Sequence, residues 1–152
     1  MFGKMLNYEV EKNKVLVNYE NIKCTVTLVN ERVINFFLPL HREERNSKAV
    51  ENVLDNEVEF KVKYDNEILN IKTQVLSIDI YDDFKVDIYD LNGKILCRDY
   101  RGKREPFRRL GANSTLAAEE GHKLEGHEEY KVYVSKIMEE DMYFYGLGER
   151  TG

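Results

Sequence analysis

EVEFKVKY, residues 57–64, alternates at every position, with Val58, Phe60, Val62 and Tyr64 on one side of an extended chain and Glu57, Glu59, Lys61 and Lys63 on the other. That period predicts a half-buried strand with one wet face. The alternation recurs outward along the chain, in Cys24, Val26 and Leu28, in Ile34, Phe36 and Leu38, in Leu76, Ile78 and Ile80, in Phe84, Val86 and Ile88, and in Tyr130, Val132 and Val134. Parallel strands are covered on both faces and read as continuous apolar runs, so this text predicts antiparallel sheets. The expected fold is all-β, an antiparallel β-sandwich.

Turn chemistry agrees. Phe84 to Leu91 is followed by Asn92-Gly93 and then by Lys94 to Cys97. Asn-Gly supplies the positive φ angles of a two-residue type I′ hairpin. Asp65-Asn66 and Asp82-Asp83 interrupt the alternation in the same way, which places three consecutive hairpin corners between Glu57 and Arg98 and implies a meander. Two segments depart from the pattern. Ser47 to Asp55 carries Ala49, Val50, Val53 and Leu54 at helical spacing behind an Asn46 or Ser47 cap, which predicts one short connecting helix of about two turns. Arg101 to Glu129 has little alternation, is dense in charge and glycine, and exceeds the ~12–15 residues usual for a structureless connection; a long loop of that kind is either mobile or functional.

The 152 residues suffice for one domain with a real core, because a chain of this size buries roughly two thirds of its unfolded surface. Two prolines and 42% hydrophobic residues argue against disorder. The formal charge of −5, from 23 basic and 28 acidic residues, argues against a chain built to hold polyanions. MFGKMLNYEVEKNK lacks the apolar core of a secretory signal, and the longest apolar run, Val33 to Leu40, is far short of the ~20 residues of a membrane span. A cytoplasmic protein with no membrane partner is expected. Cys24 and Cys97 lie far apart and outside any CxxC or Cys/His cluster, which predicts buried free thiols.

Motifs for a self-contained active site do not emerge. His122 and His127 flank Glu125 in GHKLEGH, near Glu119, Glu120, Glu128 and Glu129, but the spacing matches neither HExxH nor HxxEH, and a solvated loop with no metal is expected. Arg98, Arg101, Lys103, Arg104, Arg108 and Arg109, with Tyr100 and Phe107 between them, form the one basic cluster; Asp99 and Glu105 dilute it, and a solvated or domain-docking surface outranks single-stranded nucleic acid. Asp82, Asp83 and Asp90 belong to turns or wet strand faces, where solvation keeps carboxylates ordinary. The sequence has no GxSxG nucleophile elbow and no GxxxxGK phosphate cradle. Most of the ten tyrosines and seven phenylalanines fall at alternating positions, where packing explains them before any sugar platform does.

One stretch is more specific. Tyr143 to Gly152 reads YFYGLGERTG and resembles the FYGLGERTG signature in the N-terminal, galactose mutarotase-like β-sandwich region of glycoside hydrolase family 31, the α-glucosidase family. Asp83 to Cys97, DFKVDIYDLNGKILC, resembles that family's hairpin, whose D-x-x-G-x-x-L pattern runs through Asp90, Gly93 and Leu96. ERVINFFL, Glu31 to Leu38, resembles an early strand of the family, with its arginine-valine alternation partly kept. The resemblance spans most of the chain.

That resemblance implies a sandwich of the mutarotase-like supersandwich type over residues 1–152, cut short at its C-terminal end, and a parent enzyme that hydrolyses α-linked sugars with retention. The family's catalytic aspartates lie in a (β/α)₈ barrel of ~250 residues downstream, so the catalytic barrel is absent here, no catalytic residue is carried over and no cofactor is implied. Gly146, Leu147, Gly148, Glu149 and Arg150 then mark a domain junction: the glycines allow a sharp turn beside another packed surface, across which Glu149 and Arg150 are placed to pair. Asp90, Asn92 and Gly93 form the hairpin motif. The expected role is a non-catalytic domain that packs on the barrel and shapes the substrate entrance, with an α-linked oligosaccharide as the parent's substrate. The isolated fragment is expected to be inactive and to self-associate through unpaired edges. A second reading makes the sandwich a stand-alone module that binds carbohydrate or protein, and nucleic acid ranks last.

Overall fold

The computed structural model describes residues 2–39, 57–102, 107–109, 130–132 and 134–138, and the predicted helix over Ser47–Asp55 lies outside them. The first sheet contains β1 (Met5–Glu11), β2 (Lys14–Tyr19), β3 (Lys23–Leu28) and β4 (Ile34–Phe37) in that order. The second contains β5 (Lys61–Asp65), β6 (Ile68–Lys72), β7 (Leu76–Tyr81), β8 (Val86–Asp90) and β9 (Ile95–Arg98), also in chain order. A separate two-stranded ladder joins β10 (Phe107–Arg109) to β11 (Tyr130–Val132). Every pairing is antiparallel, so both large sheets are meanders.

The predicted alternation becomes the core. Val15 opposes Val26, which opposes Phe36; Leu69 opposes Ile80, which opposes Val86; and Ile71 opposes Ile78, which opposes Ile88. These inward side chains and Phe2, Met5, Val17, Tyr19, Cys24, Leu28 and Val58 make one apolar cluster between the sheets. Each fully buried Val, Leu or Ile contributes roughly 1.5–3 kcal/mol by leaving water.

Among the described residues, hydrogen bonds tie one sheet to the other. The Tyr19 hydroxyl donates to the Tyr81 carbonyl at 3.2 Å, the Thr73 hydroxyl to the Glu31 carbonyl at 2.9 Å, and the Val58 N–H to Asn13 Oδ1 at 2.9 Å. Phe84 adds an aromatic joint, stacking on Phe2 and meeting Tyr19 and Phe36 edge-on.

The strands differ from the sequence expectation at several points. EVEFKVKY keeps its alternation of exposure from Val58 to Lys63, yet the ladder begins at Lys61, and Tyr64, expected on the buried side, is exposed at the sheet edge. Val134 lies beyond β11 and is exposed.

The turns differ too. Asn92-Gly93 is not a type I′ pair: Gly93 has φ of 83°, Asn92 is not left-handed, and the Gly93 N–H donates to the Asp90 carbonyl at 3.2 Å while the Asp90 N–H donates to Lys94 at 2.9 Å. This is a three-residue loop, a type I turn followed by a glycine bulge. The Asp90 carboxylate selects it by accepting the Asn92 and Lys94 N–H groups, each at 2.8 Å. The type I′ geometry occurs instead between β5 and β6, where Asn66 and Glu67 have φ of 50° and 63°. A fourth corner, at Thr73–Leu76, joins β6 to β7 without glycine, proline or asparagine. There the Thr73 hydroxyl accepts the Val75 N–H at 3.2 Å and the Leu76 N–H at 2.9 Å.

Candidate functional site

Among the described residues, charge and burial coincide most strongly at Asp87, the second residue of β8. Val86 and Ile88 face the core, so strand alternation turns Asp87 to the outer face of the sheet, yet its side chain is 2% exposed. Neighbours on that face cover it. Tyr89 follows two positions along the same strand, Tyr81 comes from the end of β7, and Arg101 folds back from the segment after β9.

All of these groups point donors at the carboxylate. Tyr81 and Tyr89 donate hydroxyls to Oδ2 at 3.2 Å and 3.3 Å, the Asp99 N–H donates to Oδ1 at 3.3 Å, and the Arg101 guanidinium forms an ion pair with Oδ2. The Arg101 guanidinium also lies over the Tyr81 ring, 4.4 Å from its centroid, so its charge is balanced by a carboxylate on one side and a π-face on the other. Burial, followed by the negative charge of Asp87, pushes both phenols above the ordinary tyrosine value. They therefore remain protonated donors.

A second carboxylate continues the network. Asp99 Oδ2 accepts the Val86 N–H at 2.9 Å, and Asp99 Oδ1 pairs with Lys136 Nζ at 2.6 Å. With these partners Asp87 and Asp99 act as structural anions that fix the chain leaving β9. Nothing in their geometry resembles a proton-transfer pair flanking a cleft. Among the described residues, no group of three or more His, Cys, Asp or Glu is placed to hold a metal ion, and every buried side-chain N or O has a hydrogen-bond partner.

Residues 23–152 match the family described as the glycosyl hydrolase 31 N-terminal galactose mutarotase-like domain. The chain belongs to that family. Two solved structures of a family 31 dextranase share its fold. The GH31 dextranase of Flavobacterium johnsoniae, in complexes with isomaltotriose and with glucose, is 25% identical over 74% of this chain, with TM-scores of 0.57 and 0.56. A GH31 α-xylosidase from a soil metagenome, complexed with xylose, is 16% identical over 62% of this chain, with a TM-score of 0.47. This chain spans 14% of the length of each of those proteins. The search of curated proteins returned no match.

Within this mutarotase-like domain, the sequence-derived site residues separate into two groups. Asp90, Asn92 and Gly93 come together in the β8–β9 turn, where the Asp90 carboxylate organises the backbone. Gly146, Leu147, Gly148, Glu149 and Arg150 lie outside the described residues, as do His122 and His127. Within the basic cluster Arg101 pairs with Asp87, while Lys103 and Arg104 fall outside the described residues.

The Asp87 network was not singled out from sequence. Its signal is DIYD, residues 87–90, in which an acidic residue interrupts the outer face of an apolar strand and a tyrosine follows two positions later. Arg101 and Lys136, which make the carboxylates structural, lie 14 and 37 residues from their partners.

Proposed function

We propose that this chain is the non-catalytic N-terminal sandwich of a retaining, α-glucosidase-type glycoside hydrolase, in which it packs on the catalytic barrel of the same chain and shapes the substrate entrance. The family match over residues 23–152 carries this reading. Likeness to a dextranase complexed with isomaltotriose supports an α-linked oligosaccharide as the parent's substrate. The carboxylates resolved at Asp87 and Asp99 are occupied by structural partners, which supports a scaffold role rather than acid–base work. The two free cysteines fit the cytoplasm, where we place the enzyme; fractionation of the source cells tests that.

An immunoblot of those cells with an antibody against this chain tests the main reading. The expected band is several times the 18.0 kDa of these residues. The corresponding protein is then assayed on p-nitrophenyl α-glucoside, p-nitrophenyl α-xyloside and isomaltotriose, with turnover of the glucosides expected. The 152-residue chain alone is expected to hydrolyse none of them. A native band near 18.0 kDa overturns the scaffold reading in favour of a stand-alone module, and preferential turnover of the xyloside overturns the glucosidase assignment.

A further inference from the structure

Beyond β9 the chain makes a second, smaller ladder. The Tyr100 N–H donates to the Ser135 carbonyl at 2.9 Å, the Ile137 N–H donates to the Arg98 carbonyl at 2.8 Å, and Asp99 faces Lys136 in an antiparallel bridge between them. Farther along the same two stretches, β10 and β11 pair in the same antiparallel sense, Phe107 opposite Val132. Residues 98–102 and 134–138 therefore form a paired base where the chain leaves the five-stranded sheet at β9.

The means of attachment is polar. Among the described residues, the apolar cluster between the sheets takes its side chains from Phe2 to Ile88 and none from this base. Tyr100, Val134 and Met138 are instead exposed, at 49%, 77% and 70%. What joins the base to β8 is polar: the Asp99 N–H and carboxylate clasp Val86 at 3.2 Å and 2.9 Å, Asp87 receives the Asp99 N–H, and Arg101 closes over Asp87 and the Tyr81 ring.

We propose that this base is a latched arm, held to the sandwich by the Asp87–Arg101 pair and the Asp99 contacts with Val86 and Asp87, closed on itself by the Asp99–Lys136 pair, and that its two halves come apart and leave β8 together while the sandwich stays folded. Opening breaks a few hydrogen bonds and exposes little apolar surface, whereas opening β3 or β7 exposes the core. Segments that differ in this way open with different free energies and different sensitivity to denaturant. The arm is a conformational element whose position the buried carboxylate sets, which goes beyond the role of the domain in its parent.

Native-state hydrogen exchange separates the outcomes. In the unaltered protein, exchange at Tyr100 and Ile137 is expected to change little with low urea, while amides of β3 and β7 accelerate steeply. With Arg101→Met, or independently Lys136→Met, exchange at Tyr100 and Ile137 is expected to rise by about tenfold or more, with β3 and β7 changed by less than about twofold. Equal urea slopes in the unaltered protein overturn the proposal. So does parallel acceleration of arm and core in both variants, or unchanged exchange at Tyr100 and Ile137 in both.

Discussion

The rings of Phe2 and Phe84 stack with centroids 4.5 Å apart, and Phe84 reaches that contact from a backbone with φ of 56°. A bulky residue in the left-handed region is strained by about 1–2 kcal/mol, so the contacts of this ring with Phe2, Tyr19 and Phe36 must outweigh that cost. Phe84→Ala removes the contacts and keeps the strain, and a loss of about 3 kcal/mol is expected. Phe84→Gly removes both. The glycine variant is therefore expected to be at least as stable as the alanine variant, the reverse of the usual order in strands. Urea denaturation of the two proteins checks this, and a glycine variant weaker by about 1 kcal/mol would show that the backbone is unstrained.

Thr73 offers a sharper test of one atom. Its hydroxyl, in a residue 5% exposed, accepts two backbone N–H groups of its own turn and donates across the sandwich to Glu31 at 2.9 Å. Thr73→Val keeps the shape and leaves those partners without the hydroxyl, at an expected cost of about 1–3 kcal/mol. Thr73→Ser is expected to keep most of the stability. Destabilisation by serine, with valine close to the parent protein, would assign the effect to the methyl group instead.

Gly93 tests the turn that replaced the expected type I′ corner. A Cβ there meets nothing within 4 Å, so alanine suffers from φ of 83° alone, at about 1–2 kcal/mol. Asparagine, which tolerates this conformation, is expected to cost less. Thermal melts of Gly93→Ala and Gly93→Asn measure the difference, and a larger loss for asparagine would contradict a conformational origin.

The sandwich was legible in Cys24–Val26–Leu28 and Leu76–Ile78–Ile80, where alternation reports burial directly, but not in β2, whose Val15, Val17 and Tyr19 alternate in burial just as regularly. It was less legible at the corners. Asp90 chooses a three-residue loop through its side chain, although Asn92-Gly93 favours a two-residue turn on backbone preference. Thr73 turns the chain through a hydroxyl that composition does not flag, which is why β6 and its corner were missed. Asp87 illustrates the same limit for the site. Its place on the wet face follows from period two, but its burial depends on Tyr81 from the neighbouring strand and on Arg101 beyond the next one. The family signature at Gly146–Arg150 was readable as text without any geometry.

Cys24 links burial to pH. It is 1% exposed, and burial pushes its thiol from the ordinary 9.0 up to about 12. The folded chain thus favours the neutral thiol, while the unfolded chain ionises near the ordinary value. That contribution to stability is complete below about pH 9 and is lost as pH climbs toward about 12, because the unfolded state releases its proton first. Tyr19, raised chiefly by burial, adds to the alkaline loss in the same direction. Cys24→Ala is expected to flatten the fall of the urea midpoint above about pH 9 without abolishing it. Thiol labelling supplies an independent check: half-buried Cys97 is expected to react in the native protein, and Cys24 only once denaturant is added. Labelling of Cys24 as fast as Cys97 under native conditions would mean that the space between the sheets opens far more often than its packing allows.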